Sequence, residues 1–143
     1  MGNSQKHIQQ WQHNRKLVSL IPTTHPDWMV TVTFYVALHI VDALLEFDGV
    51  EGVNSHETRN KVLIRTNRYQ KIWDHYQPLH DLCRRIRYLA QPNQWITLDD
   101  IPTQVFGEFL YPIEKSVHGL MGITHNLDRI KIQVPVAPSP PQK

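Results

Sequence analysis

The sequence predicts an all-α fold, an antiparallel up-and-down helical bundle of four main helices and one short one. Three observations predict it. Apolar residues recur every three or four positions over 26–47, 68–90 and 99–125. Short polar or Gly/Pro-containing stretches separate these segments. No strand-like alternation of apolar and polar residues occurs before residue 129.

The first helix is read over 5–20, where Ile8, Trp11, Leu17 and Leu20 have loose helical spacing. Residues 21–25 connect it to a second helix over 26–47. Thr24 is the expected cap there, with Asp27 as its reciprocal partner and Pro26 in the first turn. Val30, Phe34, Ala37, Leu38, Val41, Leu44 and Leu45 form its apolar stripe, and Tyr35, His39, Asp42 and Glu46 its other face. Gly49 and Gly52 end it. Asn54 with Glu57 is the expected capping pair of a short helix over 55–66. A long helix over 68–90 turns Tyr69, Ile72, Trp73, Tyr76, Leu79, Cys83 and Ile86 inward. Pro78 removes a backbone donor, so a kink or break is expected at that point. Residues 91–94 are a linker. Thr97 and Asp100 then cap a helix over 99–125 with Ile101, Val105, Phe109, Ile113, Val117 and Leu120 inward and Pro112 as a second kink point. The bundle domain is therefore residues 1–128, with its core in 26–125. Residues 129–143 form an extended Pro-rich tail in which Ile130, Ile132, Val134 and Val136 alternate.

A length of 143 residues suits one domain. With 41% hydrophobic and 20% charged residues, the chain is excluded from the disordered, collagenous and disulfide-scaffold classes. Its one cysteine, Cys83, cannot form an internal bridge and fits a small core position in a reducing compartment, so a cytoplasmic location is expected. The polar start, Met1 to Lys6, lacks the apolar run of a secretory leader, and Lys6 breaks the myristoylation pattern. Thr31, Thr33, His39 and Asp42 interrupt the apolar stretch Trp28–Leu45, which reads as a buried core helix with no membrane partner.

A net charge of +2 hides an asymmetry. Residues 27–57 hold six carboxylates and no Lys or Arg. Residues 58–88 hold Arg59, Lys61, Arg65, Arg68, Lys71, Arg84, Arg85 and Arg87 against only Asp74 and Asp81. Either the two regions pair within the fold, or the basic one faces RNA, a nucleotide or an acidic partner. The chain has no glycine-rich phosphate loop, no Cys-x-x-Cys and no His-Glu-x-x-His. His39, Asp42 and Glu46 share a helix face that His56 can join, but the Glu-x-x-His repeat of di-iron bundles is missing, so no metal and no cofactor are expected. No motif that reads DNA sequence is present.

Phe34-Tyr35-x-x-x-His39, His56-x-x-Arg59-Asn60, Tyr76-x-x-Leu79 and Arg87-Tyr88, in that helix order, resemble small bacterial members of the HEPN superfamily (higher eukaryotes and prokaryotes nucleotide-binding). The resemblance covers about residues 26–125. It implies a four-helix up-and-down bundle, often dimeric. It also implies a metal-independent ribonuclease of a toxin or defence system, or a relative that has lost catalysis and binds nucleotides or partners. The family's ribonuclease motif is an Arg, four to six residues, then a His. Arg68 and His75 have that spacing, with Tyr69 after the Arg. Arg59 has the polar follower Asn60, but Ile64, Arg65 and Thr66 stand where its His would fall. The resemblance thus makes Arg68 and His75 the catalytic candidates. Chemically, a His moves protons near neutral pH and an Arg stabilises a crowded phosphate.

The candidate binding residues are His39, His56, Arg59, Asn60, Arg84 and Arg87. His39, His56 and Arg59 are expected to converge as the chain returns after Gly49. Together with Tyr35 and Tyr76 they form either a polar network locking the second helix to the third or a ligand site. The expected function is an RNA- or nucleotide-associated HEPN-like module. The alternative is a catalytically inert interaction or dimerisation subunit that binds a protein partner.

Overall fold

The computed structural model describes residues 2–88 and 96–133. The 91–94 linker and tail residues 134–143, with Val134 and Val136, lie outside them. The described residues contain five α-helices, a 3-10 turn and a π-helical segment, with no strand. They are α1 (Gly2–Leu20), α2 (Pro26–Phe47), α3 (His56–Arg65), the 3-10 turn Asn67–Tyr69, α4 (Gln70–Tyr88), the π segment Ile101–Leu110 and α5 (Tyr111–Met121).

α2 is the centre. It packs on α1, on α4 and on the π segment with α5. Its residues are apolar on nearly every face, which is the pattern of a helix surrounded by others. By length and composition it could cross a membrane, with mean hydropathy 1.7, and 72% of that window is buried inside the fold. Its two inner hydroxyls need no outside partner: Thr31 donates to the Asp27 carbonyl and Thr33 to that of Met29. The helix ends as Gly49 enters the left-handed region at φ 76°. Gly49 N–H donates to the Glu46 carbonyl and Val50 N–H to that of Leu45, the paired bonds of a glycine C-cap.

Side-chain contacts fix the sense of the neighbours. Ser4 reaches the Ala43 carbonyl and His7 reaches His39, so α1 and α2 run antiparallel. Arg68 reaches Asp48 while His80 stacks on Phe34, so α2 and α4 do too. Arg68 also reaches Leu120 and His75 reaches Glu108, which sets α4 against the last helical stretch.

Several boundaries and caps differ from expectation. α1 begins at Gly2 rather than residue 5. It buries Ile8, Trp11, Asn14 and Val18, while Leu17 and Leu20 are exposed. The stripe continues from Trp11 through Asn14, which accepts from Gln10. His25, not Thr24, precedes α2, with no side-chain cap. Thr24 bonds the His25 ring instead. α3 is capped by Ser55 with Thr58 rather than by Asn54 with Glu57. The Ser55 hydroxyl accepts from Thr58 N–H, and the Thr58 hydroxyl accepts from Ser55 N–H. Thr97 and Asp100 do pair, with the Asp100 carboxylate accepting from the Thr97 amide and hydroxyl. α4 runs through Pro78 without a break.

The last helix is not one α-helix. Tyr111 N–H donates to the Phe106 carbonyl, five residues back, and the turns over 101–110 are wider than α. The buried positions become Ile101, Val105, Phe106 and Leu110, and Phe109 is only partly buried. Pro112 lies at the change to α5 and lacks an N–H. The Glu108 carbonyl, four residues before it, accepts from the His75 ring at 2.8 Å. α5 ends at Met121, where Gly122 takes φ 67°. The chain beyond lies against the helices: Ile130 N–H donates to the Tyr111 hydroxyl at 2.8 Å.

Candidate functional site

The polar residues of α3 and α4 meet around one open groove, with the Asp42 carboxylate of α2 behind it on Arg59. α3 presents Arg59 inward because Ser55 fixes its first turn. Arg59 donates from Nε to Asp42 Oδ1 at 2.7 Å and from Nη2 to Oδ2 at 2.9 Å. This bidentate pair is largely buried. Burial opposes the guanidinium charge, but the Asp42 hydrogen bonds and carboxylate outweigh it and raise its pKa. Arg59 Nη1 lies 3.4 Å from His56 Nδ1. A guanidinium has only donors, so Nδ1 accepts and the His56 proton sits on Nε2.

On α4, Tyr76, His80, Arg84 and Arg87 share one side. His80 stacks on Phe34, with ring centroids 4.8 Å apart and planes at 10°. The His56 and His80 rings are 4.9 Å apart. Asn60 Nδ2 lies 3.4 Å from His80 Nδ1, and Asn60 Oδ1 is buried without a hydrogen-bond partner, as is the Tyr76 hydroxyl. Burial, then His56, Arg84 and Arg59, push the His80 pKa down to about 4. Burial, then Arg59 and Arg87, also lower His56. Both rings are therefore neutral at pH 7. Burial raises the Tyr76 phenol strongly.

His56, Asn60, His80, Arg84 and Arg87 line a groove of about 400 Å³ between these helices. Arg84 and Arg87 are exposed and make no ion pair among the described residues. Arg87 donates to the Tyr35 hydroxyl at 3.2 Å, and its guanidinium lies over the Tyr88 ring. Glu57 is the carboxylate on the rim, and it pairs with Lys61. The groove thus combines two exposed cations, neutral imidazoles, an amide and aromatic faces. That combination suits a phosphate with an attached ring.

The other expected residues lie elsewhere. His39 turns to α1, its Nδ1 3.0 Å from His7 Nδ1. It feels the charges of Asp42 and Arg59 but bonds neither, so the convergence joins His56 and Arg59 to Asp42, with His39 beside them. Arg68 is spent on Asp48, at 2.9 and 3.1 Å, and on the Leu120 carbonyl. Tyr69 donates to the same carboxylate, and its own pKa is pushed up to about 12 by burial and Asp48. His75 donates from Nδ1 to the Glu108 carbonyl, and its Nε2 makes no hydrogen bond among the described residues. No hydrogen bond or ion pair joins Arg68 to His75 among the described residues. Cys83 is buried and free, and burial raises its thiol pKa. Among the described residues no three His, Cys, Asp or Glu side chains are placed to hold a metal ion.

Sequence reasoning missed His80. The spacing that could have found it is Tyr76, His80, Arg84 and Tyr88, four residues apart along one helix. Compared with protein-family models, characterised proteins and solved structures, the chain matches none.

Proposed function

We propose that the protein is an RNA- or nucleotide-binding module with the up-and-down bundle architecture of the HEPN superfamily. The observation that carries this reading is the exposed pair Arg84 and Arg87 on a groove with His56, His80 and Asn60. Cations already matched to carboxylates, such as Arg59, have no spare charge to offer. Arg84 and Arg87 do, and the exposed Tyr88 and His56 rings on the same groove give a base a surface to stack on. The antiparallel senses of α1, α2, α4 and α5 agree with that architecture.

Binding is favoured over cleavage at this groove. The Nδ1 atom of His56 is occupied by Arg59, so the ring offers a donor on Nε2 rather than a base. The enzymatic form of the reading, a metal-independent ribonuclease of a toxin or defence system, rests on His75, whose Nε2 is free, with Arg68 released from Asp48. The buried thiol of Cys83 suits a cytoplasmic setting.

The test is incubation of the full chain with labelled single-stranded RNA in EDTA, read for both retention and cleavage. Retention without cleavage, lost in Arg84→Ala, is the expected result. EDTA-resistant cleavage lost in His75→Ala would move the protein into the enzyme class. No retention would remove the reading.

A second reading, an inert interaction or dimerisation subunit, draws on Phe47. Its ring is 54% exposed beside a trough of about 290 Å³ bordered by Ile8, Met121 and Ile123. A dimer or a protein partner covering that trough is its expected consequence, and sedentary single-chain behaviour in sedimentation would count against the dimer.

A further inference from the structure

The groove does not end at Arg87. A second trough of about 400 Å³ opens on the other side of that side chain, bordered by Trp28, Thr31, Tyr35 and Ile86. Arg87 borders both troughs. Its guanidinium is held at 3.2 Å by the hydroxyl of Tyr35, which itself borders the second trough.

Trp28 stands in the first turn of α2 with 57% of its surface exposed. Its ring makes no aromatic, cation–π or hydrogen-bond contact among the described residues. Tyr88, 73% exposed, lies on the groove side of the same arginine. Large exposed aromatics beside unpaired cations are what a chain of phosphates and unpaired bases requires: cations track the backbone and rings stack the bases. Asp27 borders the second trough and disfavours a phosphate there, which places the phosphate on Arg87 and the base against Trp28.

We infer that Arg84, Arg87 and Trp28 form a continuous track for single-stranded RNA, in which the first groove holds one nucleotide and the Trp28 trough stacks the next base. The inference rests on the RNA-binding reading above and adds the class of substrate: an oligonucleotide with unpaired bases, rather than a mononucleotide or a duplex. A mononucleotide fills one groove and leaves Trp28 in water. A duplex presents no free base face to the ring.

The experiment is a fluorescence anisotropy titration of the full chain with a labelled uridine octamer, with unlabelled UMP and a duplex of equal length as competitors. Wild type is expected to prefer the octamer over both. Trp28→Ala is expected to reduce the octamer-to-UMP preference about tenfold, the loss of one stacked base. Trp28→Phe is expected to restore most of it. An unaltered preference in Trp28→Ala, with binding still lost in Arg84→Ala, would overturn the track and leave the groove reading standing. Equal competition by duplex would also overturn it. No octamer binding by wild type would overturn both. A change in oligomeric state on Trp28→Ala, with RNA affinity unchanged, would assign the ring to a protein interface and overturn the track.

Discussion

Two regions of this molecule are built from the same parts and end differently. On the α1–α5 side, Glu114 is 0% exposed and accepts from Trp11 Nε1 at 2.7 Å and from Arg15 at 2.6 and 3.0 Å. Arg15 also donates to the Asp128 carbonyl at 2.9 Å, and the His118 and His125 rings lie against Trp11. On the α2–α3–α4 side, Asp42 and Arg59 make the same bidentate pair, again with histidines and an aromatic ring alongside. The first cluster is closed, and its arginine is fully used in fastening the C-terminal chain to α1. The second adjoins, through His56, a groove with two further arginines that make no ion pair among the described residues. A buried arginine–carboxylate pair with histidines is therefore no mark of function by itself. The unmatched charge beside it is what separates a site from a fastening.

The comparison makes stability predictions for both pairs. Glu114→Ala should cost the most, about 3–5 kcal/mol, because it removes a fully buried carboxylate and strands the buried Trp11 indole N–H and the half-buried Arg15. Urea denaturation measures it, and a loss under about 1 kcal/mol would show that the cluster is not the fastening described. Asp42→Asn should cost less, about 3 kcal/mol at the lower end of that range, because Asn keeps one acceptor for Arg59 and the Asp42 side chain is 12% exposed against 1% for Glu114. If Asp42→Asn proves costlier than Glu114→Ala, the ranking of closed over open fails.

Acid should act through the groove. The His80 pKa is lowered from 6.5 to about 4, so between those values the unfolded chain holds a proton that the folded chain does not. Stability is fully present above pH 6.5 and declines as pH falls toward 4. His39, His56 and His118 are lowered too and act with the same sign. His80→Phe, which keeps a ring on Phe34, should flatten the slope of urea stability between pH 7 and 5. An unchanged slope would place the titration elsewhere. The smallest of these effects is local: Ser55→Ala removes the α3 cap and should cost about 1 kcal/mol by thermal unfolding.

Legibility from sequence followed the same division. α2 is readable end to end because Pro26 and Gly49 punctuate it and apolar residues fill it. α4 is readable because its stripe repeats regularly from Ile72 to Ile86. The π segment is not, since a 3.6-residue period assigns Phe109 to the core while the wider turn puts Phe106 and Leu110 there. Ser55 was hidden beside Asn54, an equally good capping type. In the site, Arg59 and His56 are one turn apart and could be paired from spacing alone. Two facts required three dimensions: that Asp42 rather than His39 receives Arg59, and that Asp48 claims Arg68. Both depend on which helix returns beside which.

The most direct measurement of the central claim is the salt dependence of single-stranded RNA binding for wild type and for Arg84→Ala/Arg87→Ala. Two phosphate contacts predict that log affinity falls by about 1.4 per log unit of salt in wild type. The double variant should lose that slope and most of its affinity, with urea stability within about 0.5 kcal/mol of wild type, because both side chains are exposed. Wild-type binding that ignores salt, or a double variant that binds RNA as wild type does, would contradict the claim that the unmatched arginines are the site.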